Sequence, residues 1–227
     1  MNKLNHYLES NFPGLLVKPS LYHQWSKGIH FDLAKGLYQL KSDTDDLNPE
    51  YFDTVYKQAI ALFEALFSAD DKIILVTNIY QNRDFVRKSN KKIKVYRHFI
   101  KGKDVRIRLG QQILPFMFDD EDDMEGKCTS QFYLECQKED IRYPILIRAI
   151  CNQDFHSLKP RLYNPYELYE PDVFFINMTK NLIYYIYDDR GCEVIASDIE
   201  TIRPIYAKFE SWIGDYCREE IEQRFAK

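Results

Sequence analysis

The sequence lacks the clustered cysteines and histidines that bind structural zinc, and it contains no CxxC pair. Its five cysteines are far apart along the chain. An odd number of scattered cysteines is typical of reduced, mostly buried thiols in a cytosol and not of a disulfide framework. We therefore predict neither a disulfide nor a bound cofactor or metal.

Long hydrophobic runs are also absent. No apolar stretch approaches the ~20 residues that a membrane helix needs, and the first residues, MNKLNHYLESNF, are polar where a signal peptide would be apolar. We expect a soluble cytoplasmic protein with no membrane contact. The 227 residues contain no repeat and no low-complexity linker, so a single α+β unit over residues 1–227 is expected.

The common catalytic motifs GxSxG, HExxH and the phosphate-binding P-loop are missing. Two histidines remain as candidates for a general base. His30 shares one face of a predicted strand with Asp32, which would orient it, and His156 lies in a long loop. No nucleophile and base occur at a sequence spacing that indicates a catalytic pair. A non-enzymatic function is therefore favoured, and catalysis stays open.

The patterns that are present predict an α+β fold, in which a mostly antiparallel sheet packs against an internal helix and a long C-terminal helix. Residues 48–67 have an apolar stripe at helical spacing behind an Asn-Pro start. Residues 198–225 predict the C-terminal helix, in which Pro204 indicates a kink or a short first turn. Strands are predicted for GIHFDL, KIILVTNIY, KVYRHFI, DVRIRL, TSQFYLECQ, IRYPILIRAI and a three-strand meander over residues 172–196.

Charge is polarised in the middle of the chain, where residues 83–108 are basic and residues 118–126 are acidic. The basic segment could bind nucleic-acid phosphates, with Tyr96 and Phe99 stacking on bases. The acidic segment could dock a basic partner such as a cationic nuclease toxin. The simpler alternative for the acidic segment is a solvated loop, and for the basic segment we favour the alternative that the two segments pair with each other across the surface. The candidate residues are Lys91, Lys92, Lys94, Arg97, Arg106 and Arg108 in the basic segment and Asp119, Asp120, Asp122 and Asp123 in the acidic one.

Residues 152–171 contain three prolines and no periodicity, which predicts a long loop, and loops of this length are often functional. Tyr163, Tyr166 and Tyr169 are expected to be exposed on it. Tyrosine is enriched in the centres of protein–protein interfaces. We therefore expect a protein partner at this loop, and the oligomeric state stays open.

Residues 188–191, Asp-Asp-Arg-Gly, form the second turn of the predicted meander and are called the DDRG turn below. A type I turn followed by a left-handed glycine explains Asp188 and Gly191. It does not explain Asp189 or Arg190, whose side chains would point outward. They would form either an exposed ion pair of little energy or a charged cluster that grips a partner.

The same turn offers a second alternative function, a metal-dependent hydrolase. Asp188 and Asp189 could hold a divalent ion together with Glu193 on the following strand. Hydrolytic metal sites usually draw their ligands from several elements, so we rank this hypothesis last.

The DDRG turn, preceded by Tyr187 and followed by a Val-Ile-Ala strand and a helix with Tyr and Trp, resembles an uncharacterised bacterial domain family marked by the YDDRG motif. The stretches DIRY, AICNQDF and VFFIN are also similar, and the resemblance is specific over residues 130–217. It implies an intracellular bacterial protein, and some members lie near genes of secreted polymorphic toxins. The leading hypothesis is thus a cytoplasmic protein-binding module, an immunity-like antitoxin that occludes a toxin surface. Nucleic-acid binding or processing through residues 83–108 is the alternative.

Overall fold

The computed structural model describes residues 2–84, 86, 93–118, 125–162 and 168–226. It confirms the predicted α+β class. The strands of these residues form one seven-stranded sheet in the order β1-β7-β6-β5-β2-β4-β3, and every neighbouring pair is antiparallel. The strands are β1 (Gly28–Asp32), β2 (Lys72–Asn82), β3 (Gly110–Leu114), β4 (Lys127–Gln137), β5 (Asp172–Asn177), β6 (Leu182–Ile186) and β7 (Gly191–Ala196).

Eight α-helices lie in the described part of the chain. They are α1 (Lys3–Asn11), α2 (Leu21–Gln24), α3 (Pro49–Leu66), α4 (Lys94–Phe99), α5 (Lys103–Ile107), α6 (Tyr143–Cys151), α7 (Ile199–Phe209) and α8 (Asp215–Phe225). Helix α3 begins as predicted, because the Asn48 side chain accepts a hydrogen bond from the Glu50 amide and Pro49 occupies the first turn.

The sheet has a separate apolar core on each face. Helices α3, α6, α7 and α8 cover one face, which presents β-strand residues such as Phe175 and Val194. Helix α1 and the segment after it cover the other face, which presents residues such as Phe174 and Ile195. Side chains alternate between the faces along each strand, so neighbouring residues belong to different cores.

Three predicted strands are wrong. Residues 94–99 and 103–107 form helices α4 and α5, and IRYPILIRAI forms helix α6. In α4 the buried residues Val95, Tyr96 and Phe99 lie on one helical face, and a run this short is compatible with either period. In α6 a proline in the first turn starts a helix because its missing amide hydrogen would have no partner there.

The predicted C-terminal helix is two helices, α7 and α8, separated by a 3-10 turn at Glu210–Trp212. Pro204 lies inside α7 without ending it. The chain instead turns at Gly214, where a β-carbon would lie 2.5 Å from a carboxylate oxygen of Asp32. This close approach docks the start of α8 against the end of β1.

Several loops leave the sheet at the end where β6 turns into β7, which we call the DDRG end. Because the pairs are antiparallel, β1 ends there with Asp32 opposite Gly191, and β2 ends there with Asn82 opposite Lys127. Strand β5 also begins there. The connections after β1 and β2 and those before β4 and β5 therefore all join the sheet at this end.

Candidate functional site

Asp188 holds Arg190 at the surface of the DDRG turn. Its Oδ1 accepts a hydrogen bond of 2.7 Å from the Arg190 amide, and its Oδ2 accepts bonds from Nε, at 2.9 Å, and from Nη2 of the same residue. The Arg190 side chain remains 66% exposed. The hydrogen bonds and charge of Asp188 raise the pKa of the guanidinium further, so this is a pre-positioned cation facing solvent.

Asp189 points inward, so the prediction that its side chain faces outward is wrong. The residue is 0% exposed. Its Oδ2 accepts hydrogen bonds from Gln39 Nε2 at 2.6 Å and from the Tyr51 hydroxyl at 2.8 Å. Its Oδ1 has no hydrogen-bond partner in the described part of the chain. Burial raises the pKa of Asp189, and the two hydrogen bonds only partly oppose this effect.

The prediction of a left-handed Gly191 is also wrong, because its φ is not positive. Glycine is required there for space. A β-carbon would lie 2.0 Å from the Tyr187 hydroxyl oxygen and 2.6 Å from the Phe31 carbonyl oxygen. The backbone of β1 and the side chain of Tyr187 therefore approach Gly191 so closely that any side chain at this position would collide with them.

The structure brings a third carboxylate to the turn, that of Asp154. One oxygen from each of Asp154, Asp188 and Asp189 lies within 4.8 Å of the others. Asp154 follows α6 in the long loop and is exposed. Glu193, the predicted third metal ligand, is on the opposite face of β7, where its Oε2 accepts a hydrogen bond of 3.3 Å from the Tyr22 amide. The predicted set of ligands does not come together, and a different set does.

The loop between β1 and α3, residues 34–48, lies beside the turn because Gln39 is hydrogen-bonded to Asp189. Two apolar residues that flank Gln39 face solvent: Tyr38 is 80% exposed and Leu40 is 44% exposed. A shallow cavity of about 410 Å³ opens in this loop, lined by Gly36, Leu37, Tyr38, Leu40, Lys41, Ser42 and Asn48.

The predicted tyrosine and acidic surfaces are described only in part. Tyr163, Tyr166, Asp119, Asp120, Asp122 and Asp123 lie outside the described residues. Tyr169 is half-buried and stacks on Phe118, with ring centroids 3.9 Å apart. It therefore serves packing between the two loops more than a contact with a partner.

The basic segment begins next to the end of the acidic loop, since the Arg83 amide donates a hydrogen bond of 2.8 Å to the Gly126 carbonyl. This contact joins backbone groups only, so the pairing of the charged side chains of the two segments stays a prediction. Lys91 and Lys92 lie outside the described residues, and Lys94 is placed only as the first residue of α4.

The remaining basic candidates follow on α4 and α5. Arg97 and Arg108 are exposed and Arg106 is half-buried, with its Nη1 donating to the Arg97 carbonyl at 2.9 Å. Tyr96 and Phe99 are buried, so the prediction that they stack on bases is wrong. Because neither of these two rings is available for stacking, the described part of the basic segment gives the nucleic-acid hypothesis less support.

His30 and Asp32 lie on one face of β1 as predicted, but they do not form a base and its orienting partner. His30 Nδ1 is 3.7 Å from Asp32 Oδ1, which is longer than a hydrogen bond. The ring stacks on Tyr187, with 3.2 Å between Nε2 and the hydroxyl, and burial lowers the pKa of His30. His156, the other candidate, is exposed in the long loop.

Sequence reasoning missed three residues of the site: Gln39, Tyr51 and Asp154. Asp154 stands within AICNQDF, so it could have been found there as an acidic residue. Gln39 and Tyr51 give no signal, since a glutamine in a loop and a tyrosine at a helix start are common.

No helix in the described part of the chain is long and apolar enough to cross a membrane.

Comparison with known proteins identifies the family of this chain. A family model described as a domain of unknown function, DUF3885, matches residues 4–217. The uncharacterized protein YnaE of Bacillus subtilis (strain 168) is 41% identical over 210 residues, which are 92% of this chain and 96% of YnaE. No solved structure matches. The matched region and the relative together show that this chain belongs to the DUF3885 family, an uncharacterised bacterial domain family that was predicted from residues 130–217 and extends over most of the chain.

Proposed function

We propose that this chain is a protein-binding module of the bacterial cytoplasm, an immunity-like antitoxin that occludes the functional surface of a toxin. The observation that carries the proposal is the surface formed by Arg190, Tyr38 and Leu40, which we call the turn surface. An arginine, a tyrosine and a leucine are exposed on two backbone segments that are joined by a partly buried hydrogen bond between Gln39 and Asp189.

The chemistry of the turn surface suits a protein partner. Tyrosine and arginine dominate the energetic centres of interfaces, because each combines a large contact area with hydrogen-bonding capacity. The guanidinium is already oriented by Asp188, so little side-chain entropy is lost when it contacts a partner.

Charge at the DDRG end favours a basic partner. Asp43, Asp45 and Asp46 are exposed in the 34–48 loop, and Asp154 is exposed beside the turn. The acidic segment joins the sheet at this end through Phe118 and Glu125, beside Arg83 at the start of the basic segment. The acidic groups of the 34–48 loop and of Asp154 would attract a cationic protein, such as a nuclease toxin, to the turn surface.

The test is affinity capture from nuclease-treated cytosol of the native host, with the wild-type chain and two surface variants, Arg190→Ala and Tyr38→Ala. Matched controls are Arg142→Ala and Ile107→Ala, since both residues are exposed and lie away from the DDRG end. Asp189→Ala is unsuitable because the residue is buried and supports the fold. We expect a partner protein that both surface variants lose and both controls retain.

An immunity function adds a second requirement. Expression of the captured partner alone should arrest growth, and co-expression of the wild-type chain, but not of Arg190→Ala, should restore it. A partner captured equally by all variants contradicts the turn surface. Nucleic acid captured without nuclease treatment, and released by salt, would favour the basic segment instead.

A further inference from the structure

We propose that Asp154, Asp188 and Asp189 form a Ca²⁺ site at the DDRG turn. The site would join the loop after α6 to the β6–β7 turn. This inference goes beyond the proposed function and does not depend on it, since a cation could bind whether or not a protein partner exists.

The first observation is the spacing of the oxygens. One oxygen of each carboxylate lies within 4.8 Å of the other two. Ca²⁺ binds oxygen at about 2.3–2.6 Å, so two of its ligands can be as far apart as about 4.6–5.2 Å. Mg²⁺ needs near-ideal octahedral geometry, whereas Ca²⁺ accepts irregular arrangements of oxygen ligands, such as carboxylates from two separate connections. This tolerance favours Ca²⁺.

The second observation is independent of the clustering. Asp189 is 0% exposed, and its Oδ1 accepts no hydrogen bond in the described part of the chain. A buried carboxylate oxygen without a partner costs free energy. Because Gln39 and Tyr51 both donate to Oδ2, Oδ1 is the oxygen left to bind a cation.

Arg190 does not fill this role. Its guanidinium donates to Oδ2 of Asp188 and is directed at that carboxylate. Three carboxylates and one guanidinium leave a formal charge of -2, which a divalent ion would balance. Asp188 accepts three hydrogen bonds from Arg190, and a carboxylate has about four lone-pair positions, so one remains.

Asp154 supplies the solvent-facing side of the site. It is exposed and makes no hydrogen bond in the described part of the chain. Ca²⁺ requires 6–8 oxygen ligands, so water would complete the shell from this open side. Exposure and incomplete protein ligation place the expected dissociation constant at ~0.1–1 mM, the range of weak sites.

The test is a titration of the metal-free full chain with CaCl₂, followed by the amide NMR signals of Arg190 and Gly191. The key variant is Asp154→Asn, which removes a ligand charge from an exposed position without disturbing the core. The matched control is Asp70→Asn, an exposed aspartate in the turn before β2. A parallel titration with MgCl₂ tests the choice of ion.

We expect saturable shifts in the wild type and in Asp70→Asn, and a dissociation constant at least about tenfold higher in Asp154→Asn, since even outer-shell changes cost ~10–100-fold. Three outcomes would overturn the proposal. They are no saturable shift of either signal up to ~10 mM Ca²⁺, an order of magnitude above the expected constant, equal affinity in Asp154→Asn and the wild type, and tighter binding of Mg²⁺ than of Ca²⁺.

Discussion

At the scale of single residues, Gly191 shows why the DDRG turn ends in glycine. The reason is close approach and not a left-handed conformation, since a β-carbon would meet the Tyr187 hydroxyl and the Phe31 carbonyl at 2.0 and 2.6 Å. The Phe31 carbonyl belongs to the backbone and cannot rotate away. Relief of the contact would require β1 and β7 to separate.

We expect Gly191→Ala to lower the free energy of unfolding by ~1–3 kcal/mol, the usual cost of overpacking. Gly102→Ala is the control, because its new β-carbon would come no closer than 3.1 Å to any atom, the nearest being a methyl carbon of Val105. Urea denaturation measures both variants. If Gly191→Ala lowers the free energy of unfolding no more than Gly102→Ala does, close approach is not the reason for glycine at position 191.

Glu193 is a second residue with a measurable consequence. It is buried on the same face of β7 as Ile195. Burial raises its pKa from 4.5 to about 7. Between these values the unfolded chain loses the proton while the folded chain keeps it, so stability falls as pH rises. The contribution is fully present below pH 4.5 and is lost as pH rises through about 7.

We expect Glu193→Gln to be more stable than the wild type at pH 7.5 by about 1–3 kcal/mol, and the difference should shrink toward pH 4.5. Asp172, whose pKa burial raises to about 6, is unchanged in both proteins and cancels from the difference. Glu139→Gln at an exposed position controls for loss of charge. A difference that does not vary with pH would contradict this assignment.

At the scale of elements, the buried carboxylate of Asp189 joins two connections that are distant in sequence. It receives hydrogen bonds from Gln39 in the 34–48 loop and from Tyr51 in the first turn of α3. Other contacts also hold the loop, such as the bond of 2.8 Å from the Asn48 amide to the Gln39 carbonyl and the bond of 2.6 Å from the Ala34 amide to Gln58 Oε1, but among the described residues only Gln39 ties its middle to the turn. The turn therefore anchors the loop that carries Tyr38 and Leu40.

We expect Gln39→Ala to speed hydrogen exchange at the Lys41 and Asn48 amides about tenfold, because a hydrogen bond to a charged group contributes ~1.5–3 kcal/mol. Amides of β2 should be unaffected. Ser42→Ala, in the same loop but exposed, is the control. Unchanged exchange in Gln39→Ala would mean that other contacts hold the loop.

At the scale of the whole molecule, the five cysteines are free and buried, as predicted. Two of them lie on β4, one lies on β7, and one lies in each of the helices α6 and α8. Burial is the largest cause that raises the pKa of each thiol. A buried thiol with a raised pKa is a poor nucleophile, so these cysteines serve packing.

We expect a thiol reagent such as DTNB to react with none of the five cysteines of the folded protein in the time that the denatured protein takes to react fully. The denatured protein should release five equivalents of thiolate product, one for each cysteine. Ser42→Cys, which adds an exposed thiol, should release one equivalent at once. Rapid reaction of a native cysteine would show that part of the core opens readily.

Much of the fold follows from local patterns that the sequence itself carries. Periodicity of 3.6 identified α3, β-branched runs identified β2 and the meander, and Asn48-Pro49 marked where a helix begins. The scattered cysteines indicated buried thiols. These features are determined locally because side-chain spacing and capping act within one element.

The tertiary structure alone decided which charged groups are buried and which elements meet. Periodicity shows that an element has a buried face, but not which neighbour covers it, because strand pairing is a long-range interaction. The short apolar runs in α4 and α6 satisfy both periods, and packing against the sheet selected the helix. For the same reason Asp189 reads as a surface residue in sequence, until Gln39, Tyr51 and Asp154 are folded around it.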